Sequence, residues 1–476
     1  MDTQEKIIQD IRAGHNVFIT GAAGVGKSTV AREIIRNFPD TTILAPTGVA
    51  AKNVGGSTIH SFLGIGPMDR GGDDWLRRIS TNMGARMRIR GATRILIDEI
   101  SMVSADMFDN LSYVLGKVRR DPATNVQLPF GGIQIIAIGD FHQLPPIIEK
   151  PQAGDDIIVE GVRLAAPVAG HGRVFAFEAD LWNSTFLPHA SQETSGKLAG
   201  LPGTSGRVHY LTRIYRQADP EFQRILCGVR TGSQRPGDIP VLMARSQLPV
   251  PAGTITITCK NAAAVRTNTT HLRALPGRES RYPARYAGHE TVIKELVSDM
   301  KAMDIDEAAY KPGARVMLRR NVGPGLVNGS LGTIEKCLTE EIHVRMDPSE
   351  PNPAEGPATG KIFSFRRAKW DRKRKAVTPA ERAAMNSEGY ITATVEQFPL
   401  TLAWAITVHK SQGLSFDRAC VDLAECFEVH QAYVALSRVR SLEGLYCQGL
   451  TASSIMSSDR VKRFYHMLEA YSAVAA

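Results

Sequence analysis

The stretch that most limits what this chain can fold into is Gly21–Ser28, which reads GAAGVGKS. Two glycines with four residues between them are followed at once by Lys27 and Ser28. Glycine lets the backbone curl until several N–H groups point at one anion. Lys27 adds a point charge suited to the β- and γ-phosphates of a triphosphate, and the Ser28 hydroxyl can hold Mg²⁺. A helix that starts at this point also turns its positive end toward the phosphates. The flanks supply the context such a loop requires. Asn16–Thr20 (NVFIT) reads as a buried strand, and Val30, Ile34 and Phe38 recur at helical spacing behind it.

The chain has 476 residues, room for two to four domains. With 43% hydrophobic and 22% charged residues it has an ordinary globular balance. A formal net charge of +9 leaves a nucleic-acid partner open without requiring one. The six cysteines form no C-x-x-C pair, which argues against a zinc site or a disulfide framework. The N-terminus, MDTQEKIIQD, is acidic and amphipathic rather than a signal peptide, and no apolar run approaches the roughly 20 residues of a membrane span. The expectation is a soluble intracellular protein.

Taken in order, Thr3–Ala13 predicts a helix with Ile7, Ile8 and Ile11 on one face. Gln4 at its start suits either a solvated surface or an adenine, since an amide offers a donor and an acceptor together. Thr42–Ala45 predicts a second strand, followed by APTGVAAKNVGGSTIHSFLGIG. Its small residues and hydroxyls (Thr47, Ser57, Thr58) suit contacts to a phosphate backbone. His60 fits either such a contact or a satisfied interior. Residues 68–94 are basic, with Arg70, Arg77, Arg78, Arg86, Arg88, Arg90 and Arg94, and read as a small excursion from the core. Arg94–Ile97 then predicts a buried strand ending in Asp98-Glu99. Beside a phosphate loop, such a pair can hold Mg²⁺ with one acid and polarise the attacking water with the other. Gln134–Ile138 predicts another buried strand, ending at Gly139-Asp140 with Gln143 beyond, where a glutamine can sense a γ-phosphate. Residues 150–175 read as irregular. A second unit is expected to open near Arg207, with a helix capped by Asp219, started by Pro220 and ended by Gly232. Residues 311–395 change texture to short alternating β runs, including a basic stretch with Trp370 that suits a solvated hairpin or a stacking platform. The last helix carries Val461, Phe464, Tyr465, Leu468 and Tyr471 on one side.

Together, GAAGVGKS, LAPTGVAAKNVGGSTIHSFLGIG, LIDEISM, PFGGIQIIAIGDFHQLPP, LTRIYRQ, LVNGSLGTI, FPLTLAWAITVHKSQGLSFD and QAYVALSRVRSLEGL resemble, in order, the motifs of PIF (petite integration frequency) helicases, the 5′→3′ DNA helicases of superfamily 1B. The motifs run from residue 4 to residue 445. The resemblance implies an α/β fold of two tandem RecA-like P-loop domains: 1–185 as domain 1A, with a short 1B wedge at about 65–92, and 186–310 plus 396–476 as domain 2A. Residues 311–395 would form an inserted SH3-like β-barrel. It implies ATP and Mg²⁺ as cofactors, with ATP hydrolysed between the two RecA-like domains.

Residue by residue, the resemblance makes Lys27, Asp98, Glu99, Gln143, Arg216 and Arg438 catalytic, the last two as arginine fingers. It assigns Gln4, Gly21, Ala22, Ala23, Gly24, Val25, Gly26, Lys27, Ser28, Thr29, Tyr215, Gln412 and Gly413 to the nucleotide, and Ser28 and Asp98 to the metal. It assigns Thr47, Gly48, Thr58, His60, Phe62, His142, His409, Lys410 and Ser411 to single-stranded DNA. The implied partners are single-stranded DNA and tailed or forked duplexes, with single-stranded-DNA-binding or replication proteins as protein partners, for a monomer in a bacterial or phage-infected cytoplasm. Roles in DNA repair, recombination, replication and telomere maintenance attach to the family as a whole. A RecD-like motor subunit and a DNA-binding scaffold with an inactive ATPase are the rival readings. One departure stands out: the family has Gly before the glutamine of the last motif, and this chain has His430 before Gln431.

Overall fold

The computed structural model describes residues 3–65, 71–120, 127–146, 157–159, 162–164, 172–187, 206–302, 305–320, 322–323, 326, 328–347, 360–375 and 390–475. The chain divides into two compact units, one of Met1–Pro236, Glu428–Ser437 and Ile455–Ala476, the other of Gly237–Phe427 and Arg438–Ser454.

The first unit is built on a six-stranded parallel sheet. Its spatial order is Ser57–Thr58, Thr42–Ala45, Arg94–Ile97, Gln134–Ile138, Asn16–Gly21 and Gly206–Leu211. A parallel sheet needs both faces covered, so its central strands carry apolar residues on both faces, and alternate residues enter different cores. Phe18, Ile95, Ile97, Ile135 and Ala137 face a core built with Ala105–Val118, Trp182 and Phe186. Val17, Ile19, Leu96, Ile136 and Ile138 face the opposite core, closed by Ile7 and Ile11 of Thr3–Arg12 and by Val30 and Ile34 of Lys27–Asn37. In register, Phe18 lies beside Ala137 and Ala137 beside Ile97. The phosphate loop, the acid pair and the sensor turn therefore leave neighbouring strands at the same edge. That carboxyl edge is where open α/β sheets bind ligands.

Two expectations about domain boundaries do not match the fold. Residues from 186 onward were expected in the second domain, yet Gly206–Leu211 runs parallel to the phosphate-loop strand, from Asn16 opposite Gly206 to Gly21 opposite Leu211. A strand's own residues carry no information about which sheet it joins. The C-terminal helix, Asp459–Ala475, was likewise expected in the second domain. Its Val461, Phe464, Tyr465 and Leu468 fill the first core instead, and Phe464 stacks on Phe177 with centroids 4.2 Å apart.

The basic excursion is two helices, Gly71–Thr81 and Met83–Gly91, which bury Trp75, Ile79, Ala85 and Ile89 in the same core. Arg77, Arg78, Arg88 and Arg90 are exposed, and Arg88 also donates to the carbonyls of Ser61 and Phe62. Arg70 lies outside the described residues, as does most of 150–175. Within that stretch, Ile157–Val159 and Val162–Leu164 form a two-stranded antiparallel ladder.

The second unit holds a four-stranded parallel sheet in the order Ala405–Thr407, Ile255–Thr258, Ala419–Asp422 and Leu445–Gln448. Antiparallel β structure is inserted between its strands. Its five-stranded sheet orders Ile362–Arg366, Glu341–Met346, Leu331–Cys337, Arg315–Leu318 and Leu400–Leu402. A three-stranded sheet of Arg285–Gly288, Tyr390–Gln397 and Ala368–Lys375 packs with the helix Glu290–Ala302. This β structure starts earlier than residue 311, since Ser280–Pro283 already pairs with Glu307–Tyr310. Trp370 packs against the helix 290–302 cluster, with the Arg320 guanidinium 5.4 Å from its ring centroid. Among the described residues no helix is long and apolar enough to cross a membrane.

Placing the C-terminal helix in the first core yields a stability prediction. Phe464→Ala should destabilise the first unit by about 3–5 kcal/mol, through lost burial plus a cavity. Urea unfolding followed at Trp182, which lies in the same core, measures it.

Candidate active site

The loop's conformation follows from its glycines. Gly26 caps the helix Lys27–Asn37 at φ 88°, and Gly24 sits at φ 82°. Both are left-handed conformations that glycine adopts without a Cβ clash. A Cβ on Gly24 would also lie 2.6 Å from Cβ of Arg216. That close approach lets the Gly24 carbonyl accept the N–H groups of Tyr215 (2.8 Å) and Arg216 (3.3 Å). The segment after Leu211 is thereby strapped to the phosphate loop. On the other side, the Ala23 N–H donates to Oη of Tyr433 at 2.8 Å. Lys27 Nζ donates to the carbonyls of Gly21 (2.7 Å) and Ala22 (2.9 Å). Burial pulls its pKa down to about 8; the charges of Asp140 and Glu99 oppose that shift, while Arg230 and Arg216 add to it. Ser28 and Thr29 stand exposed in the first helical turn.

The acids follow the strand Arg94–Ile97. The Asp98 N–H donates to the Leu44 carbonyl, which extends the ladder by one residue. Glu99 then takes φ 52°, a left-handed conformation costly for a residue with a side chain and characteristic of functional turns. Burial, and after it the neighbouring charge of Glu99, pushes the Asp98 carboxyl up to about 7. Gly139, at the end of the adjacent strand, allows this turn to sit close: a Cβ there would lie 2.9 Å from Ile100 Cγ2. The donor chemistry fits Mg²⁺. A serine hydroxyl and a carboxylate are hard oxygen ligands, and Mg²⁺ binds through one or two protein oxygens while keeping several waters. Among the described residues no cluster of three or more His, Cys, Asp or Glu could hold a metal by itself.

The turn that carries Gln143, the expected sensor, is anchored by a carboxylate with no exposed surface. Asp140 accepts Nε (3.0 Å) and Nη2 (2.8 Å) of Arg230, the Tyr465 hydroxyl (3.2 Å) and the His142 N–H (3.1 Å). Burial alone would raise its pKa, but the charge and hydrogen bonds of Arg230 overcome this and hold it well below the usual carboxylate range. Its backbone carbonyl accepts the Gln143 N–H at 2.8 Å, which closes the turn.

Arg230, Tyr433 and Tyr465 are the residues that sequence reasoning missed. Arg230 closes the helix Pro220–Thr231, where a basic residue looks like an ordinary complement to the helix dipole. Tyr465 reads simply as part of an apolar face. Only a buried aromatic that carries a hydroxyl hinted at more, since such a group needs a partner.

Of the two residues expected as arginine fingers, Arg216 Nη1 donates to the Ser437 carbonyl at 3.1 Å, beside Gln217 Nε2 on the same oxygen. Arg438 lies in the second unit and is buried; its carbonyl accepts the Phe416 N–H. Tyr215 is exposed, and its ring edge lies 3.8 Å from where a Cβ on Gly26 would stand. Gln4 is half-buried on the first helix.

The residues assigned to DNA separate into two kinds. Thr47 and Thr58 are helix caps, accepting the N–H groups of Ala50 and Ser61, so each places a helix start at its own strand end. Gly48 is exposed and His60 half-exposed, its ring near Trp75. In the second unit, Thr407 caps the short helix Val408–Ser411, and Lys410 Nζ donates to Asn261 Oδ1. His409 is half-buried, Gln412 is buried, and Gly413 takes φ 79°. Three of the assigned side chains are turned inward. Phe62 belongs to the core, His142 is buried and stacked on Tyr465, and the Ser411 hydroxyl is buried and donates to the Val408 carbonyl.

His430 keeps the glycine-like geometry that its position demands. It takes φ 64°, buries its ring 5.2 Å from that of His142, and accepts the Ser458 N–H at Nε2. Burial lowers the pKa of His142 to about 3 and of His430 to about 4. Arg230 pushes the same way and Asp140 opposes in both, and His142 also feels His430. Both rings are therefore neutral at pH 7. Below about 6.5 the unfolded chain takes up protons on these residues that the folded chain refuses, so stability falls as pH falls. Between pH 7 and pH 5 each ring should cost about 2 kcal/mol. Urea midpoints for wild type and His430→Gly at the two pH values should show the variant losing only about half of this pH-dependent term.

Residues 1–160 match the family model described as PIF1-like helicase. The chain is 31% identical over 472 residues to the ATP-dependent DNA helicase Pif1 of Bdellovibrio bacteriovorus, covering 98% of this chain and 91% of that protein. It is 30% identical to the ATP-dependent DNA helicase PIF1 of Xenopus laevis across 98% of its own length, but spans only 64% of the frog protein. Among solved structures, it resembles a Bacteroides Pif1 helicase in complex with ADP-AlF3 and single-stranded DNA, with a TM-score of 0.64 and 28% identity over 99% of this chain and 97% of that one. With such identity sustained across nine tenths of the bacterial relative, the chain belongs to the PIF1-like helicase family.

Proposed function

We propose that this chain is an ATP-dependent DNA helicase that moves 5′→3′ along single-stranded DNA and unwinds duplex. The observation that carries the reading is the convergence of Lys27, the Asp98-Glu99 pair and the Gln143 turn on the ends of three neighbouring parallel strands. The same reading draws on the named activity of the frog and Bdellovibrio relatives, and on the nucleotide analogue and single-stranded DNA held by the Bacteroides protein.

In this proposal the loop N–H groups and Lys27 hold the phosphates, and Ser28 and Asp98 would hold Mg²⁺, whose charge would help to neutralise the phosphates. Glu99 accepts a proton from the water that attacks the γ-phosphorus, and ADP leaves with the broken bond's electrons. Gln143 reports the γ-phosphate and orients that water; Arg216 and Arg438 spread the charge that develops in transfer. Gln4 reads the adenine and Tyr215 lies beside the base. Thr47, Gly48, Thr58 and His60 of the first unit, with His409 and Lys410 of the second, meet single-stranded DNA through its backbone. Contacts of that kind carry no base information, so binding tolerates many sequences and weakens steeply with salt.

Two measurements test this. Glu99→Gln should retain ATP binding while the DNA-stimulated hydrolysis rate falls by about 10²–10⁴-fold; near-normal turnover would remove Glu99 as the base. With two partial duplexes, one bearing a 5′ single-stranded tail and the other a 3′ tail, the 5′-tailed one should be unwound in the presence of ATP. Unwinding of the 3′-tailed substrate alone would sink the polarity.

A further inference from the structure

The hydroxyl of Tyr465 uses its full hydrogen-bonding capacity on the catalytic edge. It donates to Asp140 Oδ1 at 3.2 Å, accepts the Phe141 N–H at 3.1 Å, and lies 2.7 Å from Thr20 Oγ1. One proton and two lone pairs account for all three contacts, with Thr20 as the remaining donor. The partners matter more than their number. Thr20 is the residue immediately before the phosphate loop. Phe141 and Asp140 belong to the turn whose closing bond is Gln143 N–H to the Asp140 carbonyl.

The ring cannot turn away from these contacts. It stacks on His142 with centroids 4.8 Å apart and planes 13° apart, lies under the Arg230 guanidinium at 5.2 Å, and meets Phe464 and Tyr210 at its edges. Arg230 in turn grips both oxygens of Asp140. The carboxylate that shapes the sensor turn is therefore fixed from two elements distant in sequence, the helix Pro220–Thr231 and the C-terminal helix.

We propose that Tyr465 is a positioning residue for ATP hydrolysis: its hydroxyl ties the turn that carries Gln143 to the strand that carries the phosphate loop, so that the sensor keeps a fixed distance from the γ-phosphate. The inference rests on the reading of Gln143 as the γ-phosphate sensor. Tyr465 touches no nucleotide in this scheme. It acts through Asp140 and Phe141, and its loss should be felt in turnover rather than in ATP affinity, because sub-ångström misplacement of a catalytic group lowers rate first.

The test is a cycle of Tyr465→Phe, Gln143→Ala and the double variant in the full-length chain, assayed for ATPase with saturating poly(dT). Phenylalanine keeps the stack and the cation–π contact and removes only the hydroxyl. Rates are normalised to the concentration of sites that bind a fluorescent ATP analogue, so partial unfolding does not register as slow turnover. Expected are a fall in kcat of about tenfold for Tyr465→Phe with KM for ATP within twofold, a larger fall for Gln143→Ala, and a double variant no slower than Gln143→Ala within twofold. Amide exchange at Phe141 should accelerate in Tyr465→Phe while the helix 105–118 stays protected. A wild-type kcat for Tyr465→Phe beside a slow Gln143→Ala overturns the proposal alone, as does a double variant whose loss is the product of the two single losses. A wild-type kcat for Gln143→Ala overturns the sensor reading and the proposal with it.

Discussion

The carboxyl edge of the first sheet depends on one buried charge. Asp140 has no exposed surface, and an isolated carboxylate in such a place would cost several kcal/mol. Arg230 makes the charge tolerable by meeting both oxygens, and the Tyr465 hydroxyl and the His142 N–H supply further donors. A buried ion pair of this kind contributes little net stability compared with a well-packed apolar substitute. Its value lies in geometry. Each donor comes from a different part of the chain and arrives at a defined angle, so the carboxylate has one position. The backbone of the sensor turn is built from that position, and Lys27 feels the resulting negative charge from the neighbouring strand.

The parallel sheet supplies the frame in which this charge is useful. Its middle strands are apolar on both faces, so register is held by two cores rather than one. A slip of one residue would exchange Phe18 and Ile19 between cores of different shape. Because the register is held, Gly21, Asp98 and Asp140 emerge at one edge. The strain at Glu99 is accepted at that edge, where Gly139 leaves room for the tight turn after the acid pair.

Much of this was legible in the sequence, and the physical reason is locality. The phosphate loop, the acid pair and the sensor turn are each a strand followed by a short turn, and their residue types are dictated by backbone shape and charge within a few positions. What escaped the sequence was long-range. Arg230 meets a carboxylate 90 residues away, and Tyr465 meets the same carboxylate across 325 residues. Their local settings, a helix end and an apolar face, are fully explained by ordinary helix chemistry. The same limit misplaced Gly206–Leu211, because a strand's own residues do not name its neighbour. Nor does motif membership say which way a side chain points: Phe62, His142 and Ser411 lie in motifs assigned to DNA, yet their side chains are turned inward.

His430 shows how a departure from the family pattern can leave geometry intact. The position requires a left-handed backbone, which glycine adopts freely and a larger residue adopts at a cost of order 1 kcal/mol or more. Histidine offsets that cost locally. Its ring packs edge-on to His142, and its Nε2 accepts from the Ser458 N–H. An aromatic contact of this kind contributes about 0.5–1.5 kcal/mol, comparable to the strain. The helix that follows, Gln431–Leu436, therefore starts in the direction a glycine would give it, and three residues on Tyr433 reaches the Ala23 N–H of the phosphate loop. The substitution changes what fills the space beside the sensor turn without changing where the last motif begins. A buried neutral imidazole in place of a glycine also makes the packing of that turn sensitive to acid, a property the glycine-bearing pattern would lack at this position.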